Sequence, residues 1–190
     1  MKLVFATHNE NKFKEVQALM PDHIELQSLT HIGCHDDIPE TADTIEGNAL
    51  LKAHYVRDNY GLPCFADDTG LEVTELDGAP GVYSARYAGP EKDANANMEK
   101  LLLALKPSTD RSAQFKTAIA LVNGTHEDLF LGICKGEITK APRGEKGFGY
   151  DPIFQPAGHE KTFAEMSLEL KSEIGHRGKA IRELLSYLQR

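Results

Sequence analysis

Asp67 and Asp68 stand side by side directly after the apolar run Cys64-Phe65-Ala66 and are followed by Thr69 and Gly70. Adjacent carboxylates at the end of a short buried strand repel each other unless a cation or basic group stands between them. A hard divalent cation meets that need. Magnesium takes one or two carboxylates and leaves its remaining positions to water and substrate phosphates, so Asp67 or Asp68 with a second acid such as Glu40 suffices. The same stretch also reads as an Asp-rich turn that caps the strand, with Gly70 supplying a positive φ.

Three other stretches could carry chemistry. Thr7-His8-Asn9-Glu10-Asn11-Lys12 is a polar loop between a strand and a helix start, where free backbone N–H groups and the helix dipole favour an anion. Lys12 would add a point charge on phosphate. The loop lacks the Gly-x-x-x-x-Gly-Lys pattern of a Walker loop, and simple connection remains its alternative. Gly147-Phe148-Gly149-Tyr150-Asp151-Pro152, preceded by Pro142-Arg143-Gly144, joins glycines to two aromatic rings. Phe148 or Tyr150 could stack on a nucleobase, or the rings could plug the core beside a tight glycine turn. Lys171 to Arg177 ends on His176 and Arg177 at the start of the last helix, where a positive pair opposes the dipole. A ligand carbonyl or phosphate could compensate; solvent exposure of the arginine is the alternative. The other histidines are dispersed, and no zinc site is expected.

The elements that must position these residues follow from hydrophobic spacing. Lys2 to Thr7 reads as a buried strand, and Phe13, Val16, Leu19 and Met20 recur at helical spacing from Lys12 until Pro21. Ile24 to Leu29 reads as a second strand. A helix from about Asp43 places Ile45, Ala49, Lys52, Ala53, Val56 and Tyr60 on one face, with Asp43 and Glu46 as a capping box and Gly61 as its end. Asp93 caps a helix through Leu105, and Ser112 to Val122, Asn123-Gly124 and Leu129 to Cys134 form a hairpin. Ser167 caps a short helix through Ile174, and Ile181, Leu184, Leu185 and Leu188 line the last one. The order predicts a single α/β domain over residues 1–190, a mixed central β-sheet flanked by helices, with two lobes around a cleft.

Composition narrows the function. The 190 residues, 41% hydrophobic and 26% charged, hold no apolar run long enough to cross a bilayer, and the N-terminus lacks a signal h-region, so a cytoplasmic protein is expected. Cys34, Cys64 and Cys134 are widely spaced and read as buried thiols. A net charge of −8 argues against a nucleic-acid surface, so an anionic substrate must be held locally.

In this order the motifs resemble those of the inosine triphosphate pyrophosphatase family, whose bacterial members are called non-standard purine, or dITP/XTP, pyrophosphatases. The resemblance runs essentially end to end. It is carried by Ala6 to Lys12, Glu46-Gly47-Asn48-Ala49-Leu50-Leu51-Lys52-Ala53, Ala66 to Leu71, Gly78 to Tyr87, Gly147 to Pro152 and His176-Arg177-Gly178. It implies that the loop Thr7, His8, Asn9, Glu10, Asn11 and Lys12 grips the triphosphate, through Thr7, Asn9 and Lys12 above all, with Lys52 reaching the same phosphates. It also implies magnesium on Glu40 and Asp68, Asp68 as general base with Thr69 beside it touching substrate, and a homodimer. Phe148, Gly149, Tyr150 and Asp151 match the base-binding loop; Lys171, His176 and Arg177 match the groups that read the purine edge. Two departures stand out: Gly175 where many relatives carry Ser, and His8 where many carry Gly. Water attack on the α-phosphorus needs charge neutralisation, a grip on pyrophosphate and a carboxylate to orient the water. The chain has residues for each. A Maf-like pyrophosphatase for other nucleotides is the nearest rival, and a catalytically dead nucleotide-binding module is another.

Overall fold

The computed structural model describes residues 1–189. Its sheet has seven strands: β1 (Lys2–Phe5), β2 (Glu25–Ser28), β3 (Cys64–Val73), β4 (Pro80–Gly81), β5 (Ser112–Asn123), β6 (His126–Ile138) and β7 (Phe154–Pro156). Their order is β2-β1-β3-β5-β6-β7, and β4 pairs with β3 off that path. β1 runs parallel to both β2 and β3, whereas β4 is antiparallel to β3 and β7 to β6. Five helices accompany it: α1 (Glu10–Gln17), α2 (Ile45–Tyr60), α3 (Ala94–Ala104), α4 (Leu168–Ile174) and α5 (His176–Leu188). The expected mixed sheet with flanking helices is what forms.

The chain makes two compact units. One contains Met1–Asp68, Thr117–Gly132 and the C-terminal segment from Arg177; the other contains Thr69–Lys116 and Ile133–His176. In the first, Leu3 and Phe5 of β1, Phe65 of β3, Ile119 and Leu121 of β5 and Ile181 and Leu184 of α5 bury one another, with Phe5 and Phe65 stacked at 4.7 Å. In the second, Leu71 and Val73, Leu101 and Leu105, Phe115, Phe154 and Phe163 form a separate core. Both cores hold bulky, fully buried side chains, each of which contributes roughly 1.5–3 kcal/mol relative to exposure.

Several local boundaries differ from the sequence expectation. β3 does not end at Ala66 but continues to Val73, so Asp67 and Asp68 lie inside a strand and not in a turn. The pairing of Leu71 with Gly81 and Glu72 with Pro80 extends it. α1 starts at Glu10, two residues before Lys12, because the Asn9 side chain accepts from the Asn11 and Lys12 N–H groups. α2 is capped by Thr44, whose hydroxyl accepts from the Gly47 N–H, and not by Asp43. The caps at Asp93 and Ser167 form as expected. All three cysteines are buried, and burial pushes the Cys64 thiol up to about 12, which leaves it without thiolate character. Among the described residues no helix is long and apolar enough to cross a membrane.

Candidate active site

Successive side chains of a strand point to opposite faces, and β3 uses that rule to separate its two acids. Each finds its own cations. Asp67, 2% exposed, accepts from Lys12 Nζ at 2.9 Å and from Arg177 Nε at 3.0 Å. Burial alone would raise its carboxyl, but the Lys12 ammonium and Arg177 guanidinium outweigh burial and hold it well below the usual carboxylate range. Asp68, 7% exposed, lies 3.8 Å from Lys52 Nζ. Burial, with Glu40 and Asp67 nearby, raises its carboxyl despite the lysines. Asp68 is thus the more basic of the two, the property a proton acceptor needs.

Lys52 sits on the buried face of α2 and donates to Glu40 at 2.5 Å. Burial opposes its charge, but Asp68, Glu40 and Asp67 outweigh it and raise its pKa. Lys12 behaves oppositely: burial and the neighbouring Lys52 and Arg177 lower it, in spite of Asp67. A second anion beside Lys12 would favour its charged form, as Asp67 does. Arg177 is 4% exposed, and besides Asp67 it donates through Nη1 to Glu15 of α1. The positive charge at the start of α5 is compensated by these two acids, which raise it against burial.

In the polar loop, Thr7 is buried and its hydroxyl accepts from the Asn9 N–H at 3.1 Å. Asn9, Glu10 and Asn11 are exposed. Exposed His8 places Nε2 2.9 Å from the Asp36 carbonyl oxygen. The expected triphosphate loop is therefore the last turn before α1 plus the helix's own first residues.

The second unit gathers a different set. Asp151, 3% exposed, accepts from Lys171 Nζ at 2.6 Å and from the Phe148 N–H at 2.9 Å. Gly147, at φ 73°, admits this arrangement, since a Cβ there would meet Asp151 Oδ2 at 2.0 Å. Lys171 Nζ lies 4.8 Å from the centre of the Phe148 ring. His176 is buried and stacks on Phe115 at 4.5 Å. Phe148 and Gly149 are half-buried. Tyr150, in contrast, is a core residue whose hydroxyl donates to the Ser84 carbonyl at 2.8 Å, so of the two candidate stacking rings Phe148 is the accessible one. Half-buried Thr69 follows Asp68 directly on β3.

Sequence reasoning missed Glu15, Phe115 and Phe163. Glu15 had a signal: it lies three residues after Lys12 and next to Val16 on the buried side of α1, an uncommon place for an unpaired acid. The two phenylalanines had none, because they read as ordinary core.

A family model described as the Ham1 family matches residues 3–187. The chain belongs to the Ham1 family. Among its Ham1-like relatives, a Christiangramia forsetii protein named dITP/XTP pyrophosphatase is 63% identical over 100% of both chains. One of the same name from Flavobacterium johnsoniae is 59% identical over 99% of this chain and 98% of that protein. The solved Staphylococcus aureus Ham1 protein superimposes with a TM-score of 0.90 at 40% identity, covering 100% of this chain and 98% of that one. A HAM1 protein from Coxiella burnetii gives 0.91 at 39% identity, with the same coverage. The end-to-end resemblance of the motifs is borne out.

The departure at Gly175 falls at a tight junction. Its N–H donates to the Lys171 carbonyl at 2.8 Å, and a Cβ there would stand 2.4 Å from that oxygen. Gly175→Ser should therefore shift the turn between Lys171 and His176 and cost about 1–3 kcal/mol. Thermal melting together with KM for inosine triphosphate checks this; an unchanged Tm and KM would show that the junction accommodates the side chain.

Proposed function

We propose that this Ham1-family chain hydrolyses non-standard purine nucleoside triphosphates, those of inosine, deoxyinosine and xanthosine, to the monophosphate and pyrophosphate with Mg2+. The observation that carries the reading is the basic, buried Asp68 sharing Lys52 with Glu40. The names of the relatives support the substrate class. Clearing deaminated purines from the nucleotide pool, in the cytoplasm and as a homodimer, is part of the same proposal.

Among the described residues no three His, Cys, Asp or Glu side chains form a ready-made metal cluster. Magnesium does not need one: two hard carboxylates completed by phosphates and water fit its chemistry, and Glu40 and Asp68 supply them around one ammonium. Bound there, it would neutralise charge developing on the phosphates. Asp68 accepts the proton of a water whose oxygen bonds to the α-phosphorus. The bridge between the α- and β-phosphates breaks, and its electron pair leaves with pyrophosphate, held by Lys12 and Lys52. Thr7, Asn9 and the loop from His8 to Asn11 orient the triphosphate, and Thr69 touches substrate beside Asp68. Asp67 and Glu15 keep Lys12 and Arg177 in place.

The purine is assigned to Phe148, Gly149, Tyr150 and Asp151 with Lys171, His176 and Arg177. Hypoxanthine and xanthine carry an acceptor oxygen at the 6-position where adenine carries a donor, so cationic donors favour the former. The tests follow directly. Chelation of divalent cations should abolish turnover, and readdition of Mg2+ should restore it; activity that persists in chelator removes the metal from the reading. Phe148→Ala should lower kcat/KM for inosine triphosphate and ATP alike, by roughly tenfold or more, because every base offers a ring face. A selective loss on inosine triphosphate alone would make Phe148 a reader of the base edge.

A further inference from the structure

The motif Glu46-Gly47-Asn48 contains residues that the chemistry above does not use. Asn48 is fully buried on α2, one turn before Lys52, so the two side chains share a face of the helix. Its Oδ1 accepts from the Ala42 N–H at 2.9 Å, and its Nδ2 is buried without a hydrogen-bond partner among the described residues. The amide is therefore held in place for the sake of one bond to the chain two residues beyond Glu40. Lys52 grips the same segment through the Glu40 carboxylate itself. Gly47 completes the contact: a Cβ there would meet the Ala42 Cβ at 2.7 Å and Thr44 Oγ1 at 2.9 Å. Further back, Asp36 is tied by Tyr55 Oη at 2.5 Å and by His8 Nε2 on its carbonyl. The segment from Asp36 to Thr44 is thus a strap fastened to α2 and to the phosphate loop, with Glu40 in its middle.

We infer that Asn48 and Gly47 are positioning residues that set Glu40 for the divalent cation by seating this strap on α2. The inference rests on the reading of Glu40 and Asp68 as the cation's ligands. Residues that only orient a metal ligand change metal affinity, typically by roughly 10- to 100-fold, more than they change the chemical step. Gly47→Ala pushes the strap off through Ala42 and crowds Thr44 Oγ1, so Ala42→Gly added to it should relieve the tighter of the two clashes.

The experiment is Mn2+ binding followed by electron paramagnetic resonance, without nucleotide, on the parent, Glu40→Gln, Asn48→Ala, Gly47→Ala and the Gly47→Ala/Ala42→Gly pair. Thermal melting is recorded for each, and Mg2+ dependence of turnover is measured beside it. Expected is a weakening of Mn2+ binding by roughly tenfold in Glu40→Gln, Asn48→Ala and Gly47→Ala, with kcat at saturating Mg2+ retained in Asn48→Ala and affinity recovered in the pair. If Glu40→Gln weakens binding while Asn48→Ala and Gly47→Ala stay within about twofold of the parent, the positioning role is overturned and the metal reading stands. If Glu40→Gln leaves Mn2+ affinity unchanged, the metal reading falls and this inference with it. Should Asn48→Ala fail to fold, Gly47→Ala alone still decides: Mn2+ affinity within about twofold of the parent overturns the role.

Discussion

Replacing Asp68 by Asn is expected to lower turnover of inosine triphosphate by roughly 10²- to 10⁴-fold, the usual loss when a general base is removed. The amide is nearly the same size as the carboxyl and leaves β3 intact, so the melting temperature should change little. What disappears is the proton acceptor. Burial and the neighbouring Glu40 and Asp67 raise Asp68, whereas Lys12 and Arg177 lower Asp67, so the two adjacent acids are not interchangeable. Steady-state kinetics on the purified variant is the check, and activity within about fivefold of the parent would move the base elsewhere.

Arg177→Ala should have the largest effect on stability. The guanidinium is 4% exposed and serves two buried acids, Asp67, which it shares with Lys12, and Glu15. Removing one member of a buried ion network strands the others, at about 3–5 kcal/mol. For a chain of this size the Tm should fall by roughly 10 °C. Asp67 is depressed in the folded parent, so its contribution to stability is complete above the ordinary carboxylate range and drains as pH falls below it. The variant has less of that contribution to lose, so the gap between the two proteins stays nearly constant from pH 7 down to about pH 5 and narrows as pH falls below about 4. Arg177→Lys should recover only part of the loss, since an ammonium cannot reproduce the fork that reaches both acids. Melting curves across pH test this; a variant that melts with the parent at pH 7 would show the network to be without weight. Turnover of inosine triphosphate should drop as well, because Asp67 loses the guanidinium that holds it beside Lys12 and the purine loses one of its proposed donors.

Much of this was legible in the residues because it is local. The periodicity of Ile45, Ala49, Lys52, Ala53 and Val56 placed Lys52 on the inner face of α2, and it is buried there. Asp93 and Ser167 announced their helices because a side-chain oxygen before an apolar run has few other uses. What was not legible depends on partners distant in sequence. Asp67 and Asp68 read as the end of a short strand, with a capping turn as one alternative, because nothing near them shows that Leu71 and Glu72 pair with Gly81 and Pro80 and carry the strand through. Likewise, an arginine at a helix start looks uncompensated until Asp67 and Glu15, 110 and 162 residues away along the chain, are brought to it. Tyr150 read as a possible base platform on residue type alone, while its environment made it core. Thr44 outcompeted Asp43 as cap by one position, a difference that backbone geometry decides.

On the proposed function, water activated at Asp68 attacks the α-phosphorus of a 6-oxo purine triphosphate and expels pyrophosphate. Hydrolysis of inosine triphosphate with Mg2+ in oxygen-18-labelled water, followed by mass spectrometry of both products, tests it most directly. The predicted result is one labelled oxygen in inosine monophosphate and none in pyrophosphate, with ATP turned over far more slowly under the same conditions. Label in the pyrophosphate, or release of inorganic phosphate and inosine diphosphate, would contradict it.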